Sequence, residues 1–342
     1  MIVVVKPGTS DEELDRLLEF IQSQGYSTHL SRGVERTIVG IIGDEPLTLR
    51  DRLYGLPCVD EVVPILKPYK LVARAAKPAG TVFDVRGVTI GGPTITVMAG
   101  PCTVESEQML LETARRVKAA GASILRGGAY KPSTSPYSFH GMGEDGLRIL
   151  AAARDETGLP VITEVMDTRD VGLVAKYADI LQVGTRNMAN FSLLREIGRS
   201  RLPVMLKRGW ASNIEEWLQA AEYLASGGDE HIILCERGIR TFEQATRNTF
   251  DINAIPVVKD LSHLPIVADP SHGTGRSGLV PAVALAAIAA GADGLMIEVH
   301  PEPTKALKDG AQSLTFEGFQ ALMAAAEKVA AAVGRQLGGH AA

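Results

Sequence analysis

Eight short apolar runs in the second part of the chain each end in a side chain that can ionise or bind a metal. The runs are ITVMAG, ASILRGG, LPVITEV, ADILQVG, LPVMLKR, HIILCER, LPIVADP and ADGLMIEV. The chemically active residues at their ends are Cys102, Arg126, Glu164, Arg186, Lys207, Arg208, Glu236, Arg237, Asp269, His272, Glu298 and His300. A single charge at a strand end is commonly a solvated group, but eight in succession predict one shared site.

Basic residues are prominent at and near these ends, and we expect them to bind an anion. The cations are Arg126, Lys131, Arg186, Lys207, Arg208 and Arg237. Like charges held close together repel unless an anion neutralises them, and planar guanidinium groups suit bidentate contacts with phosphate and carboxylate. The alternative is that each cation pairs with Glu164, Glu236 or Glu298, which would leave no anion site.

A second group combines thiol, imidazole and carboxylate side chains. Cys102, His272, Glu298 and a downstream acid, for which Asp309 is the best candidate, form a mixed donor set. Such a set suits a borderline divalent metal such as Mn, Fe, Co or Zn. Their spacing is not a local metal-binding motif, so Cys102 can also be a buried thiol and His272 a hydrogen-bonded loop residue. Cys235, within a strand, is predicted to be a core residue.

The eight runs alternate with amphipathic helices, which indicates the fold that gathers their ends. Helical segments are predicted at 106–120, 146–157, 212–225 and 280–290, with Ser212 and Glu215 as a capping box. Strands rich in Val, Ile and Leu are typical of parallel sheets buried on both faces. Eight strand–helix units predict an α/β fold, a (β/α)8 TIM barrel over residues 94–342, with its active site at the carboxyl strand ends.

The first 67 residues follow a different pattern of strand, helix, strand, strand, helix and strand. This order predicts a small α+β domain of the ferredoxin-like type over residues 1–67. Ser10 and Glu13 form a capping-box pattern before its first helix. Residues 68–93 are predicted to be a linker followed by a hairpin that turns at Arg86 and Gly87.

Composition excludes several classes of protein. The chain has 342 residues and a formal charge of −5, so a general nucleic-acid or anionic-membrane binder is not expected. Three scattered cysteines form no disulfide framework, and neither a signal peptide nor an unbroken apolar span of ~20 residues is evident. We therefore expect a cytoplasmic protein. Residues 273–278 match GxGxxG, but their place in the seventh unit argues against NAD binding.

Eight longer motifs occur in order along residues 80–340. They are MAGPCTVES, LRGGAYKPSTSPYSF, ITEVMD, VGTRNMANF, LKRGW, ILCERGIRTFEQATRNTFDI, VADPSHGTGR and IEVHPEPTKALKDGAQSL. Together they resemble the metal-dependent 3-deoxy-D-arabino-heptulosonate 7-phosphate (DAHP) synthase family, in the branch shared with 3-deoxy-octulosonate 8-phosphate synthase. The N-terminal domain is similar to the ACT-like regulatory domain of some members. The resemblance implies condensation of phosphoenolpyruvate with erythrose 4-phosphate, which opens the shikimate pathway, and a homotetramer.

The resemblance also implies a role for each matching residue. The metal ligands would be Cys102, His272, Glu298 and Asp309. The contacts to phosphoenolpyruvate would be Arg126, Lys131, Arg186, Lys207 and Arg237. The loop that holds erythrose 4-phosphate would be Pro132, Ser133, Thr134 and Ser135. In the implied reaction a Lewis-acidic metal polarises the aldehyde, Lys131 donates a proton to its oxygen, and Glu164 lies beside the carbon that gains positive charge.

Ser133 departs from the family pattern Lys-Pro-Arg-Thr, in which the arginine is expected to contact the sugar phosphate. Losing one charge-assisted bond costs roughly 1.5–3 kcal/mol, so we predict weak binding of erythrose 4-phosphate. Lys131-Pro132 favours the four-carbon aldose, because octulosonate synthases resemble Lys-Ala-Asn at this place. His29 and Ser31 match positions that bind an inhibitor in similar enzymes, which predicts feedback inhibition by tyrosine or phenylalanine.

Two other functions are consistent with the sequence. A 3-deoxy-octulosonate 8-phosphate or sialic-acid type synthase would apply the same chemistry to another aldose. A catalytically weakened barrel that senses an amino acid is the alternative suggested by Ser133. His29 and Ser31 can equally be outward-facing polar residues of a half-exposed strand.

Overall fold

A computed structural model of the chain describes residues 1–33, 36–42, 47–63, 68–132, 137–228 and 230–338. The chain divides into two compact units, Met1–Pro68 and Tyr69–Ala342. Within the described ranges, no helix has both the length and the apolar character needed to cross a bilayer.

The first unit is the predicted small α+β domain. Its elements are β1 (Ile2–Val5), α1 (Asp11–Ser23), β2 (Ser27–Arg32), β3 (Thr37–Ile42), α2 (Leu47–Tyr54) and β4 (Val59–Val63). The antiparallel sheet has the order β2-β3-β1-β4, and apolar residues of both helices pack with those of the sheet in one core. The Ser10 side chain accepts a hydrogen bond from the Glu13 N–H, and the Glu13 carboxylate accepts one from the Ser10 N–H. The predicted capping box is therefore confirmed.

The second unit begins with a hairpin and continues as the predicted barrel. The hairpin strands are β5 (Phe83–Val85) and β6 (Val88–Ile90). The barrel strands are β7 (Thr94–Gly100), β8 (Ile124–Arg126), β9 (Val161–Glu164), β10 (Ile180–Val183), β11 (Val204–Lys207), β12 (Ile232–Glu236), β13 (Ile266–Ala268) and β14 (Gly294–Glu298). All neighbours pair in parallel, and β14 pairs with β7 to close the ring. The eight apolar runs thus form the eight strands.

Helices follow the strands on the outside of the barrel. They are α3 (Glu107–Ala119), α4 (Glu144–Thr157), α5 (Val171–Val174), α6 (Phe191–Arg199), α7 (Ile214–Ala225), α8 (Ala254–Leu261), α9 (Pro270–Thr274), α10 (Val280–Ala289) and α11 (Phe316–Ala332). A short strand β15 (Gln336–Leu337) follows α11 and adds to β7. The side chains buried between helices and strands are almost all aliphatic.

The predicted capping box at Ser212 and Glu215 is wrong by one residue. Asn213 is the N-cap of α7, with its side-chain oxygen 2.8 Å from the Glu216 N–H nitrogen, and the Glu216 carboxylate accepts from the Asn213 N–H at 2.9 Å. Ser212 instead belongs to the preceding turn, where its carbonyl accepts a hydrogen bond from Arg208. Asparagine caps a helix as well as serine does, so the sequence pattern alone could not separate the two registers.

The predicted hairpin covers the amino-terminal end of the barrel. Arg86 and Gly87 adopt left-handed φ values of 50° and 85°, which a two-residue hairpin turn requires. Phe83, Val85, Val88 and Ile90 pack against apolar side chains from all eight barrel strands. The segment before the hairpin also packs on the barrel, since the Glu222 carboxylate accepts the N–H groups of three consecutive residues, 70–72.

Candidate active site

The four predicted metal ligands converge at the carboxyl end of the barrel. Cys102 follows β7, His272 lies in α9, Glu298 ends β14, and Asp309 lies in the loop before α11. Ligand atoms of Cys102, Glu298 and Asp309 all lie within 4.8 Å of one another. His272 Nε2 is 3.5 Å from Glu298 Oε1 and 4.0 Å from Asp309 Oδ2. Three of the ligands are therefore mutually close, and His272 lies beside two of them; we call these four side chains the ligand cluster.

His272 is held by the residue that caps its own short helix. Asp269 is the N-cap of α9, and its Oδ1 accepts the His272 N–H at 3.0 Å. The other carboxylate oxygen of Asp269 lies 2.8 Å from His272 Nδ1 and 2.6 Å from Lys207 Nζ. The approach to Nδ1 is an ion-pair contact without the geometry of a hydrogen bond, and Nε2 is the ring nitrogen that faces the ligand cluster. A carboxylate beside Nδ1 is the usual support of a metal-binding histidine.

Asp309 occupies an unusual backbone conformation. Its φ is +53°, a left-handed value that non-glycine residues adopt at an energetic cost. The next residue is Gly310, where a Cβ would lie 2.0 Å from the carbonyl oxygen of Pro303. Arg247 donates to Asp309 Oδ1 at 3.0 Å, and Lys131 Nζ lies 3.5 Å from Oδ2. Surrounding contacts therefore hold the Asp309 carboxylate beside Cys102, whose Sγ is 3.2 Å away.

Burial and charge set the protonation of the ligand cluster. Burial lowers the pKa of His272 to about 4, so its imidazole is neutral at pH 7. Burial, reinforced by the charge of Glu298, raises the pKa of the Cys102 thiol. Burial alone would raise the pKa of Asp309, but Lys131, His272 and Arg247 bring it well below the usual range. A thiol, a neutral imidazole and carboxylates thus face one another out of water.

A cavity of about 160 Å³ opens beside the ligand cluster. Its walls carry two carboxylates, Glu164 and Asp309, and seven cations. The cations are Arg126, Lys131, Arg186, Lys207, Arg237, Arg247 and Lys308. The structure therefore brings together all five residues for which the sequence predicts contacts to phosphoenolpyruvate. The excess of positive charge suits a small polyanion.

Apart from His272 Nδ1, which faces the Asp269 carboxylate, two buried polar atoms of this cavity are without a hydrogen-bond partner among the described residues: Arg126 Nε and Glu164 Oε1. The rest of each side chain is fixed, since Arg126 Nη1 donates to Glu298 at 3.0 Å and Gln182 donates to Glu164 Oε2 at 3.3 Å. Glu164 also requires Gly184, because a Cβ there would lie 2.0 Å from Oε1. Buried unpaired groups are costly, so these two atoms indicate a place for a polar ligand.

Arg208 does not belong to the cavity, contrary to the prediction. Its guanidinium donates to Glu236 and to Asp251, each at 2.9 Å. Strand residues alternate between the two faces of the sheet, so Lys207 and Arg208 point to opposite sides. The alternative in which cations pair with the nearby glutamates is therefore correct for Arg208 and also for Arg126, which pairs with Glu298 but still lines the cavity, as Lys207 and Arg237 do. Cys235 is fully buried in the barrel interior, which confirms its assignment to the core.

Three cationic or aromatic residues of the cavity were not selected from the sequence. Arg247 lies in the TRNTF stretch and Lys308 directly precedes Asp309. The third is Trp210, whose ring lies under two guanidinium groups, 4.9 Å from Arg186 and 4.3 Å from Arg240. Trp210 could have been selected from the sequence, because it lies two residues after a basic strand end and guanidinium groups stack on aromatic rings.

The remaining predicted site residues are only partly described. Pro132 lines the cavity, whereas Ser133, Thr134 and Ser135 lie outside the described residues. His29 and Ser31 are exposed on β2 of the N-terminal unit and alternate with the half-buried Leu30. This exposure is compatible both with an effector site and with an ordinary outward-facing strand.

Comparison with known protein families identifies both units. The DAHP synthetase I family matches residues 72–334, and the DAHP synthase ferredoxin-like domain matches residues 1–67. The chain belongs to the DAHP synthetase I family. A phospho-2-dehydro-3-deoxyheptonate aldolase of Thermotoga maritima is 52% identical over 98% of this chain and 99% of its own length.

A solved DAHP synthase structure and a 2-dehydro-3-deoxyphosphooctonate aldolase are also similar to this chain. The crystal structure of the Thermotoga maritima DAHP synthase superposes with a TM-score of 0.95 at 51% identity, covering 98% of each chain. A 2-dehydro-3-deoxyphosphooctonate aldolase of Syntrophotalea carbinolica is 35% identical, over 69% of this chain and 91% of its own length. Similarity to the Thermotoga protein includes the N-terminal unit, whereas the octonate aldolase covers a smaller share of the chain.

Proposed function

We propose that this chain condenses phosphoenolpyruvate with D-erythrose 4-phosphate and water to give DAHP and phosphate, the first step of the shikimate pathway. The observation that carries the proposal is the cation-lined cavity directly beside the ligand cluster. The cavity suits the phosphate and carboxylate of an enol donor, and the ligand cluster suits a group that polarises an aldehyde. Membership of the DAHP synthetase I family supports the same reaction.

The ligand cluster fits a divalent metal ion such as Mn, Fe, Co or Zn. One thiol, one imidazole with its Nε2 inward and two carboxylates make a donor set of borderline character. A cation among them would favour the thiolate of Cys102, whose ionisation burial otherwise opposes. When bound, the ion would supply Lewis acidity toward a carbonyl oxygen.

The cations of the cavity would hold the reactants in place and neutralise their negative charges. Arg186, Lys207 and Arg237 would hold phosphate, and Arg126, with its unpaired Nε, would hold carboxylate. Fixing the donor in this way converts a two-body encounter into an effectively intramolecular one. The enol C3 would then attack the aldehyde carbon.

Lys131 would supply the proton that the new alkoxide needs. Burial alone would lower the pKa of Lys131, but Cys102, Glu298 and Asp309 raise it above the usual range. Lys131 therefore remains an ammonium group until an alkoxide develops nearby. Glu164, with its unpaired oxygen, would face C2 as water adds there, and cleavage of the C–O bond would then release phosphate.

Phosphate release measured with a panel of aldoses and metals tests this function. We expect release from phosphoenolpyruvate only when erythrose 4-phosphate is present, and its loss after treatment with a chelator. Release with arabinose 5-phosphate instead would favour an octulosonate synthase, which the octonate aldolase relatives make the second candidate. An absence of release with every aldose and metal would favour the amino-acid-sensing barrel.

Ser133 leads us to expect weak binding of erythrose 4-phosphate. We propose that its hydroxyl replaces a charged contact to the sugar phosphate, so Ser133→Arg should lower the KM for erythrose 4-phosphate about ten- to a hundredfold. The KM for phosphoenolpyruvate is the internal control and should not change. An unchanged KM for erythrose 4-phosphate would show that this position does not contact the sugar.

We also propose that the N-terminal unit binds tyrosine or phenylalanine as an inhibitor and that the chain acts as a homotetramer. The support is the family match of residues 1–67 and the exposure of His29 and Ser31. Initial rates with and without each amino acid test the effector, and His29→Ala should abolish inhibition without altering the uninhibited rate. Sedimentation would give the number of subunits.

A further inference from the structure

Two loops carry Cys102 and Asp309 of the ligand cluster, and one glutamate connects these loops. The first loop follows β7 and holds Cys102. The second follows β14, begins just after Glu298 and holds Asp309. Glu105, in the first loop, accepts a hydrogen bond from the backbone N–H of Leu307, in the second, at 2.9 Å. Because 202 residues separate them in sequence, this contact exists only in the folded barrel.

A histidine of the second loop faces the same carboxylate. His300 Nε2 lies 3.5 Å from Glu105 Oε2, and His300 is only 5% exposed. His300 Nδ1 accepts the backbone N–H of Glu302 at 3.0 Å, which orients the ring with Nε2 on the side of Glu105, although Nε2 forms no hydrogen bond with a described residue. Glu105 therefore makes one hydrogen bond to the second loop, at Leu307, and its other oxygen lies near the buried ring of His300.

These contacts are adjacent in sequence to three members of the ligand cluster. Glu105 is three residues after Cys102, His300 is two residues after Glu298, and Leu307 is two residues before Asp309. Glu105 itself is not part of the group whose ligand atoms lie within 4.8 Å of one another. Its carboxylate therefore touches the backbone that carries the ligands and not the position a metal would occupy.

We propose that Glu105 is a positioning residue for the metal site, a proposal that rests on the metal-dependent function proposed above. Asp309 has a left-handed φ, and Arg247 and Lys131 both attract its carboxylate. Without a tether at Leu307, the loop can relax toward an ordinary backbone conformation and carry Asp309 away from Cys102. Glu105 opposes this movement, so it sets the separation of the ligands before any ion binds.

Three substitutions at Glu105 separate positioning from simple charge. Glu105→Ala removes the contact, and Glu105→Asp keeps the charge but is too short to reach Leu307. Glu105→Gln loses the charge but keeps an oxygen at the same distance. Glu112→Ala is the matched control, because Glu112 lines the same surface cavity of about 390 Å³ as Glu105 and His300.

The experiment measures Mn²⁺ affinity of the full chain after chelator treatment, together with the affinity for phosphoenolpyruvate. We expect the Ala and Asp variants to bind Mn²⁺ about ten- to a hundredfold more weakly, the range typical of residues that support metal ligands. The Gln variant should stay within about threefold of wild type, and the Glu112 variant should be unchanged. Affinity for phosphoenolpyruvate should not change in any of them.

Two results with the Glu105 variants would overturn the inference. Wild-type Mn²⁺ affinity in both the Ala and Asp variants would show that the tether does not position the ligands. Weak binding in the Gln variant with normal binding in the Asp variant would show that charge, and not reach, is what matters. If wild-type protein binds no divalent metal, the proposed metal site fails first, and the inference fails with it. If Glu105→Ala does not fold, the Asp and Gln pair still decides.

Discussion

The two ends of the same eight strands bury opposite kinds of side chain. At the amino-terminal end, Phe83, Val85, Val88 and Ile90 of the hairpin cover apolar residues contributed by every strand. At the carboxyl end, charged groups such as Lys207, Arg237 and Glu298 are equally buried, each no more than 4% exposed. Apolar burial stabilises the fold, whereas buried charge costs free energy unless it is paired or bound.

This difference shows that one end of the barrel stabilises the fold and the other end carries the reactive groups. The apolar end contributes free energy of folding without any ligand. The charged end is stabilised only in part by its own ion pairs, such as Arg126 with Glu298 and Lys207 with Asp269. The unpaired atoms of Arg126 and Glu164 remain for a ligand. Substitutions at the two ends should therefore have different readouts.

The largest effect is expected at the ligand cluster. Cys102→Ala removes one donor, and we expect turnover to fall at least about a hundredfold because the metal site loses a ligand. Bound metal should fall with it, while the dissociation constant for phosphoenolpyruvate stays close to wild type. Cys58→Ala, in the N-terminal unit, is the matched thiol control and should retain both metal and activity. Full turnover in the Cys102 variant would contradict the assignment.

Two neighbouring buried arginines at the charged end provide the next test. Arg237→Met removes a cation of the cavity, and the KM for phosphoenolpyruvate should rise about ten- to a hundredfold. Arg208→Met leaves the buried Glu236 without its guanidinium partner and should lower the free energy of unfolding by about 3–5 kcal/mol. Its KM should change little. Steady-state kinetics and denaturant unfolding of both variants measure this difference. Equal KM values for phosphoenolpyruvate in the two variants would contradict the prediction.

At the apolar end, only stability should respond. Ile90→Ala empties a site that is 1% exposed, and the expected loss is about 2–4 kcal/mol, seen as a lower Tm. Val82→Ala, beside the hairpin but 50% exposed, should cost much less. The KM for each substrate should match wild type in the folded variants. A large change in KM for the Ile90 variant would show that the two ends are not independent.

The smallest effect is expected at Trp210. Each guanidinium over its ring contributes about 0.5–1 kcal/mol, so Trp210→Leu should raise the KM for phosphoenolpyruvate about two- to fivefold by loosening Arg186. Trp210→Phe keeps an aromatic ring and should recover most of that loss. An unchanged KM in the Leu variant would mean that Arg186 is held by other contacts alone.

Periodic features of the sequence predicted most of the fold. Short apolar runs predicted the eight strands, and Ser10 with Glu13 predicted the start of the first helix, because both signals depend on residues close together in the chain. The capping box of α7 was predicted one residue early, since Ser212 and Asn213 are both good N-caps. The prediction that the Arg208 side chain faces the cavity was also wrong, because the sequence of a basic pair at a strand end does not show which of the two side chains faces inward.

For this protein, the sequence by itself determined the barrel, the small domain before it and the residue types at each strand end. Local spacing decides these features, and local spacing is present in the chain before it folds. Only the tertiary structure decided which end residues share a cavity and that Glu105 reaches Leu307. Contacts of this kind join positions up to about two hundred residues apart, and their geometry depends on closure of the ring and on which face of each strand is buried.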